Sequence, residues 1–161
     1  MNNKSNRFAP LAVVLAAGAL LFPAQALSTE YYVLSGDAED LTLIDKDSMT
    51  RDGSVVRAWL LTIYREPQMI EDTPIVFMEA LMDVDCAGHR ARSLSFKGRG
   101  DDGELAQTVD DDHPEWDPTD PESVGAMWEA AICEENPFSG EAVGATDLLV
   151  LRAALLQMGD D

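Results

Sequence analysis

The side chains of this 161-residue chain with chemical potential are two cysteines, two histidines, three tryptophans, and 30 acids set against 11 bases. None of them falls into a catalytic motif. Ser139-Gly140 lacks the first glycine of a nucleophile elbow, and neither His89 nor His113 lies in a recognisable triad sequence. A triad assembled in space leaves no such trace, but no positive feature argues for one, so no catalytic residue is assigned. His89 sits in a turn as a solvated side chain, and His113 lies in a polar loop with Asp110, Asp111, Asp112 and Glu115. The stretch from Asp101 to Glu122 holds ten acids and no Lys or Arg. Oxygen ligands at this density suit Ca²⁺, which takes about 6 to 8 of them. The spacing of an EF-hand loop is missing, however, from both DDDHPEWDPTDPE and DKDSMTRDG. The expectation is a solvated acidic face, with no cofactor and no assigned metal ligand. A Ca²⁺-stabilised or metal-buffering acidic protein of the periplasm is the alternative.

The tryptophans and bases are better suited to contact than to catalysis. Trp128 has helical spacing with apolar neighbours and is expected in the core. Trp59 shares a strand face with Arg57 and Arg65, while Trp116 lies in a loop. Arg90, Arg92, Lys97 and Arg99 place four bases within ten residues. Such a strip can bind an acidic partner or pair with the chain's own carboxylates, and the many competing acids favour pairing. Trp and Arg dominate the energetic centres of protein interfaces. The candidate contact surface is therefore Trp59, Arg57, Arg65, Trp116 and Arg92.

These residues must be carried by something exported. Lys4 and Arg7 precede a 12-residue apolar run, Leu11 to Phe22, and Ala24-Gln25-Ala26 has the small-x-small form of a cleavage site. Twelve apolar residues fall short of the roughly 20 that cross a bilayer. Residues 1–26 read as a signal peptide, and without a lipid-attachment cysteine near that run the mature chain is expected unlipidated, in the periplasm, secreted or at the cell surface. Cleavage leaves 135 residues at net charge -21. That charge argues against nucleic acid, whose binding rests on Lys and Arg displacing counterions, and against anionic membrane surfaces. In an oxidising compartment Cys86 and Cys133 read as one disulfide, two separately buried thiols being the alternative.

Strand patterns fill the middle of the chain. Glu30–Leu34 and Leu41–Ile44 are β-rich, Lys46–Gly53 is a polar connection ending in the hairpin signal Asp52-Gly53, and Val55–Arg65 is apolar on both faces, as a central strand must be. Glu66-Pro67 is expected to close it and Pro74 to open the next strand, which runs to Cys86. One face of that strand is apolar and points Cys86 into the core. The other turns acidic through Glu79, Asp83 and Asp85. Ala91–Lys97 and Glu104–Val109 complete about six strands in an antiparallel meander. Pro121 is expected as the first residue of a helix reaching Cys133, with Val124, Met127, Trp128, Ala131 and Ile132 as its buried stripe. Residues 134–144 read as a linker. Thr146 then caps a last helix, Leu148–Met158, ending at Gly159 and apolar on most sides. One stripe of it is expected on the sheet and another in a homodimer seam or partner contact. The fold class is α+β.

The run from Tyr31 to Cys133 resembles the surface-adhesin protein E-like family of exported Gram-negative proteins. The carrying residues are Ile44-Asp45, Ser48 and Gly53, then Val56-Arg57-Ala58-Trp59, Arg65-Glu66-Pro67, Asp85-Cys86 with Arg90-Ala91-Arg92, and Trp116 through Pro121, Ser123, Trp128 and Cys133. The resemblance implies an antiparallel sheet with a packed helix and a disulfide between Cys86 and Cys133. It also implies a non-catalytic binding module whose partner is a protein of the extracellular matrix or envelope, as the namesake binds laminin and vitronectin and dimerises. The expected organisation is a signal peptide at 1–26, the adhesin-like domain at 27–134, and a linker with the apolar helix at 135–161.

Overall fold

The computed structural model describes residues 29–37, 39–134, 142–145 and 147–157. The signal segment, most of the linker, Thr146 and Gly159 lie outside the described residues. Six strands run antiparallel in chain order: β1 (Thr29–Gly36), β2 (Asp40–Asp52), β3 (Val55–Ile70), β4 (Thr73–Asp85), β5 (Arg90–Arg99) and β6 (Leu105–Asp110). Short β7 (Asp117–Pro118) pairs with the start of β5, and β8 (Val143–Ala145) pairs with β1. The two helices are α1 (Val124–Cys133) and α2 (Leu148–Gln157). The expected α+β meander is the architecture found.

Strand β3 sits in the centre of the sheet, between β2 and β4. Its alternation serves two cores at once, because successive side chains of a strand point to opposite faces. Val56, Ala58 and Leu60 join Ile44, Val84 and Ile132 on the face covered by α1. Leu61 and Ile63 join Leu43, Phe77, Leu151 and Leu155 on the face covered by α2. The helices thus lie on opposite sides of one sheet. Thr42 and Thr62, both buried, satisfy each other through a hydroxyl contact of 3.1 Å.

Several boundaries differ from the sequence reading for definable reasons. The polar segment expected as a connection, Lys46–Gly53, belongs to β2 as far as Asp52, with a bulge between Asp45 and Thr50. Within the bulge Ser48 Oγ donates to the Asp45 carbonyl at 2.7 Å and accepts the Trp59 amide at 2.9 Å, so a side chain replaces the missing ladder partner. Glu66-Pro67 does not end β3. The strand bulges between Ile63 and Gln68, where proline is tolerated, and resumes to Ile70. The hairpin at Asp52-Gly53 does form, with Gly53 at φ 58 as its first central residue.

Helix α1 begins three residues later than expected. Ser123 is its N-cap and accepts the Ala126 amide at 3.3 Å, while Pro121 lies in the preceding turn. The buried side shifts accordingly. Val124 and Met127 are exposed, whereas Ile132 is buried and Trp128 packs against the same core. Asp147 caps α2, its Oδ1 accepting the Leu149 amide at 2.9 Å. Leu151 and Leu155 are buried, but Leu149, Val150 and Leu156 face out. Part of the segment read as linker forms β8. Cys86 and Cys133 are joined in a disulfide that ties the end of β4 to the end of α1, and Arg51 donates to the Cys133 carbonyl at 3.2 Å.

Candidate interaction surface

Toward the end of the sheet where Trp59 and Arg92 lie, the face that carries α2 changes character. The register places Arg57 opposite Asp83 and Trp59 opposite Leu81 across β3 and β4, then Asp83 opposite Arg92 and Glu79 opposite Lys97 across β4 and β5. Asp83 is the pivot. Its side chain is 2% exposed, and it accepts Arg57 Nε at 2.7 Å and Arg92 at 2.8 Å. The Arg57 hydrogen bond holds the Asp83 carboxyl below its ordinary range, burial opposes this, and Arg92 adds to the lowering. The same contact raises Arg57. A neighbouring pair repeats the arrangement: Asp85 accepts Ser54 Oγ at 2.8 Å and Arg90 Nε at 2.9 Å, and those bonds, the serine's first, lower its pKa.

Both tryptophans of this face, Trp59 and Trp116, are half-buried and roofed by cations. The Lys97 ammonium stands 4.3 Å from the Trp59 ring centroid, and the Arg92 and Arg90 guanidiniums stand 4.3 and 4.9 Å from that of Trp116. Trp116 reaches this place because β7 pairs Asp117 with Ala91, setting the loop residue alongside Arg92. The guanidinium planes are therefore fixed between a ring and a carboxylate. A shallow cavity of about 290 Å³, lined by Thr50, Asp52, Val55, Arg57, Asp83 and Arg92, opens beside them.

Four of the five expected contact residues, Trp59, Arg57, Trp116 and Arg92, are thus brought onto one face. Arg65 is placed elsewhere. It donates to the Leu155 and Leu156 carbonyls at 2.9 and 3.3 Å, clamping the end of α2, and Arg152 returns a bond to the Arg65 carbonyl at 3.3 Å. The basic strip is largely paired within the molecule, Arg99 with Glu79 completing the set at 3.1 Å. His89, read as a solvated turn residue, is exposed at φ 48 yet bonds Glu129 at 2.6 Å. Sequence reasoning passed over Asp83 and Lys97 as members of the surface. The acidic alternation of β4 was the available signal, since acids on the central side of β5 must meet its bases. Among the described residues no group of three or more His, Cys, Asp or Glu is placed to hold a metal ion, and no helix is long and apolar enough to cross a membrane.

Neither a curated protein nor a solved structure matches the chain. A family model does, that of surface-adhesin protein E, and it matches residues 31–134, which span the six-stranded meander, the paired tryptophans, α1 and both disulfide cysteines. By that match the chain belongs to the surface-adhesin protein E family.

Proposed function

We propose that the protein is an exported, non-catalytic adhesin-type module that contacts a protein of the extracellular matrix or envelope through the face carrying Trp59, Arg57, Trp116 and Arg92. The observation that carries this reading is the coupling of each tryptophan to a cation that is itself held by the sheet: Lys97 on Trp59, and Arg92 on both Trp116 and Asp83. Rigid aromatic and guanidinium groups give contact area while losing little side-chain freedom on binding, which is why interfaces concentrate their energy in them. Membership of a surface-adhesin family supports a protein partner. The signal-peptide reading of residues 1–26 supports export without a lipid anchor. The exposed stripe of α2 offers a second copy of the chain a place to dock.

Photo-crosslinking on intact cells tests the face. A benzophenone side chain at position 57 or 116 should give protein adducts, and one at Met69, exposed and remote from the tryptophans in the β3–β4 ladder, should not. Adducts at Met69 alone, or at none of the three, overturn the assignment.

A further inference from the structure

One edge of the sheet is left open. In the strand order β6 is terminal: β5 lies on its inner side, and among the described residues no strand lies on its outer side. Every residue of β6 except Gln107 is exposed. The ladder tells which of its backbone groups are free. The Asp111 amide donates to the Leu94 carbonyl at 3.0 Å, and in an antiparallel pair only alternate residues bond to the neighbouring strand. With Val109 opposite Phe96 and Gln107 opposite Gly98, those two turn their amides and carbonyls toward β5, whereas Thr108 and Asp110 turn theirs away from it. An open edge of this kind is a template for a further strand.

Charge decides which strand fits. Asp101, Asp102 and Glu104 precede β6, Asp110, Asp111 and Asp112 end it, and none of the six is in an ion pair among the described residues. The acids of β4, by contrast, are matched by the arginines of β5. A second copy laid along this edge would set like charges against each other at both ends, which is unfavourable. A basic segment would meet carboxylates at both ends instead. We propose that the β6 edge receives an extended segment of a protein partner, with Lys or Arg at its two ends and a β-branched middle of about six residues, roughly 20 Å long. The middle bonds to the outward groups of Thr108 and Asp110, and the terminal cations settle among the six acids. This site is separate from the Trp59 face and stands without it.

Titration of the mature chain with synthetic peptides tests the edge. The probe is an alternating Val-Thr hexapeptide flanked by two lysines at each end. It should bind about ten times tighter than the same hexapeptide flanked by glutamates, and added salt should weaken it. Proline in the middle of the lysine peptide removes a donor and should cost about tenfold. In hydrogen exchange the Thr108 and Asp110 amides should become protected on binding while those of β3 do not change. T108P removes one outward donor, leaves the β5 ladder and all six acids in place, and should cost about tenfold in affinity for the lysine peptide. Should T108P fail to fold, the proline peptide decides the matter on the wild type. Equal binding of the lysine and glutamate peptides, or no binding at millimolar concentration, would overturn the proposal. So would a proline peptide that binds as tightly as its parent, because charge alone would then account for the affinity. Thr108 and Asp110 amides already protected in the free chain would overturn it too, by showing the edge held by a second copy or by the chain itself.

Discussion

At the residue scale, Asp83 determines whether the candidate face keeps its shape. It is the shared acceptor of Arg57 and Arg92, and without it two cations face each other across β4 with no counter-charge. Removing one partner of a fully buried pair costs roughly 3–5 kcal/mol, but Arg57 is half exposed and solvent screens part of the loss, so D83N should destabilise by about 2 kcal/mol. The sign of the pH dependence follows from the lowered pKa. The folded state binds this proton more weakly than the unfolded chain, so the stabilisation is complete above the unfolded value of about 4 and is lost as pH falls through the folded one. Denaturant melts of wild type and D83N should therefore diverge at pH 7 and converge as pH falls through the lowered folded-state pKa of Asp83. A gap that persists unchanged in acid would assign the effect to packing instead.

At the element scale, two tethers hold the helices against the sheet. The disulfide closes a 47-residue separation, which in the chain-entropy model contributes about 4 kcal/mol. A C86S/C133S variant should lose about that much in chemical denaturation, and amide exchange should rise first in α1. Arg65 does the corresponding work for α2 by donating to two carbonyls that the helix leaves unpaired at its end. R65A should cost about 1–2 kcal/mol, in line with lost hydrogen bonds from a charged donor, and exchange should rise in α2 while β3 and β4 stay protected. The sequence made these elements legible where pattern and period agree. The two-faced apolar run of β3 could only be a central strand, and the one-sided apolar run ending at Cys86 could only meet a covering layer. It was less informative at the bulges. Lys46–Gly53 reads as a connection because it is polar, and only the Ser48 hydroxyl standing in for the ladder reveals a continuing strand. Pro121 suggested a helix start, but Ser123 supplies the oxygen that the first free amides require, and the cap decided the boundary.

At the scale of the whole molecule, the sheet presents two unlike faces, and the acidic charge of the chain surrounds both. The candidate surface was partly legible because tryptophan and arginine alternate along β3. Arg65 was misplaced by the same alternation, since the Ile63–Gln68 bulge and the docking of α2 divert it to the helix end. The outward stripe of α2 carries Leu149, Val150 and Leu156, with Val150 65% exposed. We propose that it is a seam between two copies, so sedimentation velocity should show a dimer that V150S/L156S converts to a folded monomer. A wild type that stays monomeric at high concentration contradicts the seam without touching the contact face.

The most direct test of that face is quantitative binding to immobilised laminin and vitronectin by wild type, W59A, R57A/R92A, W116A and V150S/L156S, each checked for a cooperative melt. For whichever of the two proteins the wild type binds, the account predicts that the face carries the binding. W59A, W116A and the arginine double variant should each weaken that binding tenfold or more, a typical penalty for truncating an interface anchor, while V150S/L156S retains it per protomer. Binding that the three face variants leave unaffected would contradict it.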